Sequence, residues 1–221
     1  MNYIYSLNIS ELNWSDVRAQ LKILSISEQH DLEQFKFEQD KCRALVGKLL
    51  LLYVLQQHEH YRAKLLPKIG YGVYGKPMIA RMQGHFNISH AQDWVVCAYS
   101  DNSIVGIDIE HQVTINLDDY QAMMTPREYQ RAITNPDFDF FQLWTLKEAV
   151  IKATGQGFFL SPTTFELPYP FQNNDYVHIE SQDWFLFSQR FTPNYTLSLA
   201  SSRPITGKIH CISLALDAIS Q

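Results

Sequence analysis

Cysteine is scarce in this chain of 221 residues: Cys42, Cys97 and Cys211 stand far apart and in no CxxC spacing. That excludes a disulfide framework or a zinc knuckle as the basis of the fold, and it suits a reducing, cytoplasmic setting. Positive charge is short as well. Eighteen Lys plus Arg face 23 Asp plus Glu, a formal net charge of −5, which excludes the broad basic footprint of a nucleic-acid-binding domain. Any anion must be gripped locally. Long apolar runs are missing too: the best stretch, Ala44 to Leu55, is short and broken by Lys48, and the N-terminus lacks a basic segment followed by an apolar one. No membrane span and no signal peptide are expected. Nine Gly and nine Pro beside 46% hydrophobic and 13% aromatic residues exclude disordered and fibrous classes and leave enough apolar material for a sizeable core.

Residues 3 to 9 read as a strand, and Ser27 to Gln57 as helix, with Leu45, Leu49, Leu52 and Leu55 on the 3.6 period. A Gly- and Tyr-rich segment follows, then strands around FNISHA, WVVCAYS and VGIDIE. From Thr125, T-P-R-E supplies an N-cap, a Pro at the first helical position and a Glu that completes a capping box. Asp139 to Thr154 reads as a second long helix stopped by Gly155, with further strands to the C-terminus. Each half thus runs from helix through a turn-rich stretch to strands, with WVVCAYSD and YTLSLASS in corresponding places. The expected fold class is α+β. Its arrangement is either a duplication, 1–110 followed by 111–221, or a coincidence of order.

Several motifs fail on context. Gly70, Gly72, Gly75 and Lys76 spell both GxGxxG and GxxxxGK, but such turns must open a helix, and here Pro77 follows in a strand-like run. His58, Glu59 and His60 are adjacent and share no helix face, so a polar helix end is the reading. Ser89 and His90 are neighbours on a strand and point to opposite faces, which argues against a triad.

One constellation does carry chemistry. Alternation in Val105 to Glu110 puts Asp108 and Glu110 on one strand face, which on its own could be a solvated edge, and Gly106 leaves room for close approach. In FQLWTLKEAVIKATG, Glu148 and Lys152 lie one helical turn apart, flanked by Trp144 and Ile151, with a simple surface ion pair as the alternative. Were that helix to lie beside the strand, three carboxylates and an ammonium would surround one site. Hard oxygen ligands of this kind suit Mg²⁺ together with substrate phosphates.

The blocks Tyr74-Gly75-Lys76-Pro77, Phe86-Asn87-Ile88-Ser89-His90, Val105 to Glu110 and Trp144 to Lys152, in this order, resemble the Sfp-type 4′-phosphopantetheinyl transferases. The resemblance implies a pseudo-dimer of two similar α+β halves with the active site at their interface. It also implies an Mg²⁺-dependent transfer of the phosphopantetheinyl arm of coenzyme A to a serine of an apo acyl or peptidyl carrier protein, in fatty-acid, polyketide or nonribosomal-peptide synthesis. On the same basis Asp108, Glu110 and Glu148 hold the metal, Glu148 and Lys152 are catalytic, Tyr74, Gly75, Lys76 and Pro77 border the adenine, and Ser89 and His90 meet the ribose-phosphate region. The protein is expected to be monomeric. Where the family carries cations for the 3′-phosphate, this chain has Glu28, Asp31 and Glu33, which leaves Lys36, Lys41 and Arg43 as the nearby cations and shifts more of that role to His90 or Arg43. Carrier docking falls on the segment with Met123, Met124 and Tyr129, for which core packing is an equal reading. A non-catalytic module binding coenzyme A or a carrier, and a magnesium-dependent phosphoesterase, are the alternatives.

Overall fold

The computed structural model describes residues 1–220. β1 (Asn2–Asn8) leads through the short α1 (Trp14–Val17) into α2 (Ile26–Glu33) and α3 (Glu38–His58). The predicted single helix over Ser27 to Gln57 is therefore two. Ser25 and Glu28 form a capping box that starts α2, whose only buried residue is Leu32, and the chain turns extended at Phe37 before the apolar face of α3 begins. No Gly or Pro marks that break.

The heptapeptide with three glycines is a hairpin, β2 (Ile69–Tyr71) with β3 (Pro77–Ile79), and no helix follows it. β4 (His85–Ala91) and β5 (Trp94–Ser100) then pair antiparallel, and β5 pairs with β1. In the second half β6 (Val105–His111) precedes α4 (Pro126–Thr134) and α5 (Phe140–Thr154), followed by β7 (Tyr176–Ile179), β8 (Gln182–Thr192) and β9 (Tyr195–Ser201). β6 pairs with β9 and β9 with β8. The chain closes with β10 (His210–Leu214), parallel to β1, and α6 (Leu216–Ile219).

Both halves thus repeat one plan: a strand, a long helix, and a hairpin whose second strand sits between its partner and the first strand, as β1-β5-β4 and β6-β9-β8. This is the duplicated α+β unit, with WVVCAYS and YTLSLAS as the two central strands. By strand pairing VGIDIE opens the second unit, whereas the sequence reading ended the first unit there, at Glu110. Its run of apolar alternation looks the same whichever neighbour it pairs with, and only the β6–β9 ladder places it.

Three apolar clusters define the layers. One lies between α3 and the first sheet, around Leu45, Leu49, Val95 and Cys97. A second lies between α5 and the second sheet, around Leu146, Val150, Leu186 and Ala200. The third joins the remaining faces of the two sheets, Ile4, Val96 and Ala98 against Ile107, Ile109, Leu197 and Leu199. No helix among the described residues is long and apolar enough to cross a membrane.

Candidate active site at the seam

α5 is held in place by buried polar bonds. Asp139 caps it and Gly155, at φ 73°, ends it. Thr145 meets Ser198 of β9 at 2.7 Å. Lys147, with no exposed surface, donates to the carbonyls of Pro162 and Phe165 at 2.5 and 2.8 Å and pairs with Glu128 at 2.8 Å, so all three ammonium protons are used. Glu128 is the last residue of the predicted Thr125 capping box, and it also accepts from the Leu167 amide. One residue on, about 100° around the helix, Glu148 turns toward the seam, where it lines the first cavity described below.

At the seam α5 lies directly on β6. A Cβ at Gly106 would overlap the Ala149 carbonyl and the Ala153 amide, so only glycine permits this approach. Lys152 thereby reaches Asp108, Nζ to Oδ1 at 2.6 Å, and Ser89 Oγ at 3.1 Å, while Ser89 donates to the same Asp108 oxygen at 2.9 Å. Asp108 is 3% exposed, and its other carboxylate oxygen, Oδ2, is buried without a hydrogen-bond partner. Glu110 accepts from Trp144 Nε1 at 3.4 Å. Burial, followed by the neighbouring Asp108, raises the Glu110 carboxyl to about 7, and the same two causes raise Glu148.

Two cavities open beside this cluster, with Trp144 in the wall of both. The first, about 470 Å³, is lined by Tyr74, Gly75, Lys76, Pro77, Glu148 and Lys152. The second, about 420 Å³, is lined by Arg43, His90, Gln92 and Glu110 with Phe140 and Phe141. Arg43 is braced by the Gln92 carbonyl and by Asp40, both at 2.8 Å. Burial, then Arg43 and Lys152, lowers the His90 imidazole, which is therefore neutral near pH 7 and sensitive to an arriving anion.

These relations coincide with clear likenesses to known proteins. A family model described as "4′-phosphopantetheinyl transferase superfamily" matches residues 104–200, and one described as "4′-phosphopantetheinyl transferase, N-terminal" matches 12–102. The chain is 34% identical over 165 residues to 4′-phosphopantetheinyl transferase psf-1 of Bacillus pumilus, covering 70% of this chain and 69% of that one. It is 27% identical over 193 residues to 4′-phosphopantetheinyl transferase Sfp of Bacillus subtilis (strain 168), covering 83% and 84%. A further 4′-phosphopantetheinyl transferase of Bacillus subtilis is 30% identical over 193 residues, covering 82% and 83%. The chain belongs to the Sfp-type 4′-phosphopantetheinyl transferases. The two family models meet between residues 102 and 104, where strand pairing also divides the transferase.

The structure sets Lys152 against Asp108 across the seam, with Glu110 and Glu148 on the adjoining cavities. Among the described residues the alternative, an ion pair of Lys152 with Glu148 along the helix, is not formed. Two residues of this transferase, both within the matching blocks, were given no role by the sequence. Lys147 was hidden inside an apolar helix pattern. Asn87 accepts from the Ile107 amide at 2.9 Å and lines the first cavity; with Ser89 it stitches the edge of β4 to the edge of β6 through side chains, where the backbone ladder stops. The spacing of Asn87 and Ser89 on one strand face was the available signal. Two members of the acidic run are paired, Glu28 with Lys48 and Glu33 with Lys41, each at 3.2 Å, half-buried and outside the lining of the two cavities. Of the three residues placed on the docking segment, Met124 is in the second core and Met123 lines the first cavity.

Proposed function

We propose that the protein transfers the phosphopantetheinyl arm of coenzyme A to a serine of an apo acyl or peptidyl carrier protein, with Mg²⁺ held by Asp108, Glu110 and Glu148, releasing adenosine 3′,5′-bisphosphate. The observation that carries this reading is the meeting of Asp108, Ser89 and Lys152 at the seam, with Glu110 and Glu148 on the two adjoining cavities. The donor set suits a hard cation: all three groups are carboxylates, and the partnerless Asp108 Oδ2 is a buried acceptor awaiting a positive partner. Among the described residues no three acidic, His or Cys side chains are placed to hold a metal ion by themselves. A cation bound here would therefore keep waters and complete its shell with substrate phosphates. When bound, Mg²⁺ would neutralise charge on the pyrophosphate oxygens.

The chain's own residues do the rest. Lys152 turns its ammonium to the phosphates while remaining near Asp108, and Ser89 fixes the orientation of the Asp108 carboxylate. Arg43 and His90, in the second cavity, receive the 3′-phosphate, and the backbone of Tyr74 to Pro77 borders the adenine. Glu148, whose carboxyl is raised from its ordinary value by burial and then by Asp108, takes the proton from the carrier serine as its oxygen bonds to phosphorus and the bond to adenosine bisphosphate breaks.

Incubation with coenzyme A, Mg²⁺ and a panel of apo-carriers should add one phosphopantetheinyl mass to a carrier serine, read by intact-protein mass spectrometry. Asp108→Ala and Glu148→Ala should abolish the addition while the protein stays folded. Binding of coenzyme A by calorimetry with no transfer to any carrier would instead support a non-catalytic module.

A further inference from the structure

The β2–β3 hairpin is small, three residues in each strand, and it projects: Tyr71, Val73 and Met78 are exposed. Its turn forms one wall of the first cavity through Tyr74 and Gly75. Inside the hairpin the turn is fixed by the Gly72 amide on the Lys76 carbonyl and the Gly75 amide on the Gly72 carbonyl, both at 2.9 Å, with Gly75 at φ 88°. Ile69 and Ile79 rest on the first core and Tyr74 meets Phe159 at 5.0 Å between ring centroids, while the polar tie of the turn to the second unit is the side chain of Lys76.

That side chain runs to the joint between α5 and β6. Its ammonium donates to the Ala153 carbonyl, at the C-terminal end of α5, at 2.8 Å, and to the Val105 carbonyl, at the start of β6, at 3.1 Å. Among the described residues no carboxylate pairs with it. Carbonyls, assisted by the negative end of the α5 dipole, hold the charge instead. The stem lies across Gly155, where a Cβ would stand 3.0 Å from Lys76 Cδ, so the helix stop is glycine both for its left-handed backbone and for this crossing. Lys76 also divides the first cavity from a second space of about 480 Å³ lined by Met78, Met82, His85 and Trp184.

We propose that Lys76 is a positioning residue: a latch that docks the 72–77 turn onto the joint between α5 and β6 and so sets the width of the cavity that receives coenzyme A. The proposal rests on the transferase reading for its substrate. The latch itself does not depend on that reading. Burial lowers the Lys76 amine to about 8, as its lack of a carboxylate partner requires, and His85 is the titratable neighbour that feels its charge.

The test uses Lys76→Met and Lys76→Cys in a Cys211→Ser background, the latter alkylated with 2-bromoethylamine to restore an ammonium of the same reach; Cys42 and Cys97 are buried. Amide hydrogen exchange in 70–78 should rise in Lys76→Met while α3 stays protected, and alkylation should return it. In the transfer assay, KM for coenzyme A should rise about tenfold in Lys76→Met with kcat within about threefold, and alkylation should restore KM. Unchanged exchange in 70–78 overturns the latch. Raised exchange with an unmoved KM overturns the positioning role. Wild-type protein that transfers nothing overturns the proposed function instead, and exchange together with coenzyme A binding by calorimetry then decides for the latch.

Discussion

Asp108 divides its work between two oxygens, one shared by Lys152 and Ser89, the other buried without a donor, and burial together with its charge raises Glu110 and Glu148. The pH dependence follows from the sign of those shifts. A carboxyl whose folded pKa is raised, from 4.5 to about 7 for Glu110, binds its proton more tightly in the native state, so its contribution is full below about 4.5 and fades as pH rises through 7. Metal-free protein should therefore melt at a lower temperature at pH 8 than at pH 5. Glu110→Gln should flatten that slope by on the order of 1–2 kcal/mol, screening by solvent included, as read by calorimetry across pH. Equal slopes in both proteins would remove Glu110 as the source. Alternation alone showed that Asp108 and Glu110 share a face. It could not show that Lys152 answers Asp108, because that contact depends on α5 crossing β6 at Gly106.

Helix α5 carries Glu148 and Lys152 toward the seam while Lys147 ties its other flank to the Pro162 and Phe165 carbonyls and Thr145 ties it to Ser198 of β9. The ends of this helix were legible, since Asp139 and Gly155 are cap residues with local chemistry, and so was the Thr125 capping box. The tether was not, because a lysine amid Leu, Thr and Ala reads as one exposed position on an apolar helix. Lys147→Met leaves Glu128 buried without its cation and should cost about 3–5 kcal/mol, seen as a lowered denaturant midpoint. Adding Glu128→Gln should recover part of that loss; no recovery would mean that packing, not the unpaired charge, sets the cost. Gly106→Ala acts on the same helix from the other side, pushing α5 off β6. It should lower stability by about 1–3 kcal/mol and reduce transfer further than the melting shift alone accounts for, since the Asp108–Lys152 contact opens.

Across the whole molecule, the two units repeat one strand–helix–hairpin plan, yet neither is complete alone. The order of helices and strands made the repetition legible. The division was not, since VGIDIE joins the second sheet and β10 crosses back to pair with β1, and long-range pairing leaves no local signature in either segment. The third apolar cluster takes Ile4, Val96 and Ala98 from one sheet and Ile107, Leu197 and Leu199 from the other. Separating the chain into fragments 1–103 and 104–221 would expose both faces to water, at about 25 cal/mol for each Å² of apolar surface, and strip β1 of its parallel neighbour. The proposed active site is divided by the same cut, with Ser89 and His90 on one fragment and Asp108, Glu148 and Lys152 on the other. Each fragment alone should lack a cooperative thermal transition by circular dichroism, whereas mixing them should restore both the transition and transfer to a carrier. A cooperative melt of either fragment by itself would mean that the shared core is an interface between two finished domains, and the seam would then be free to open as the carrier arrives.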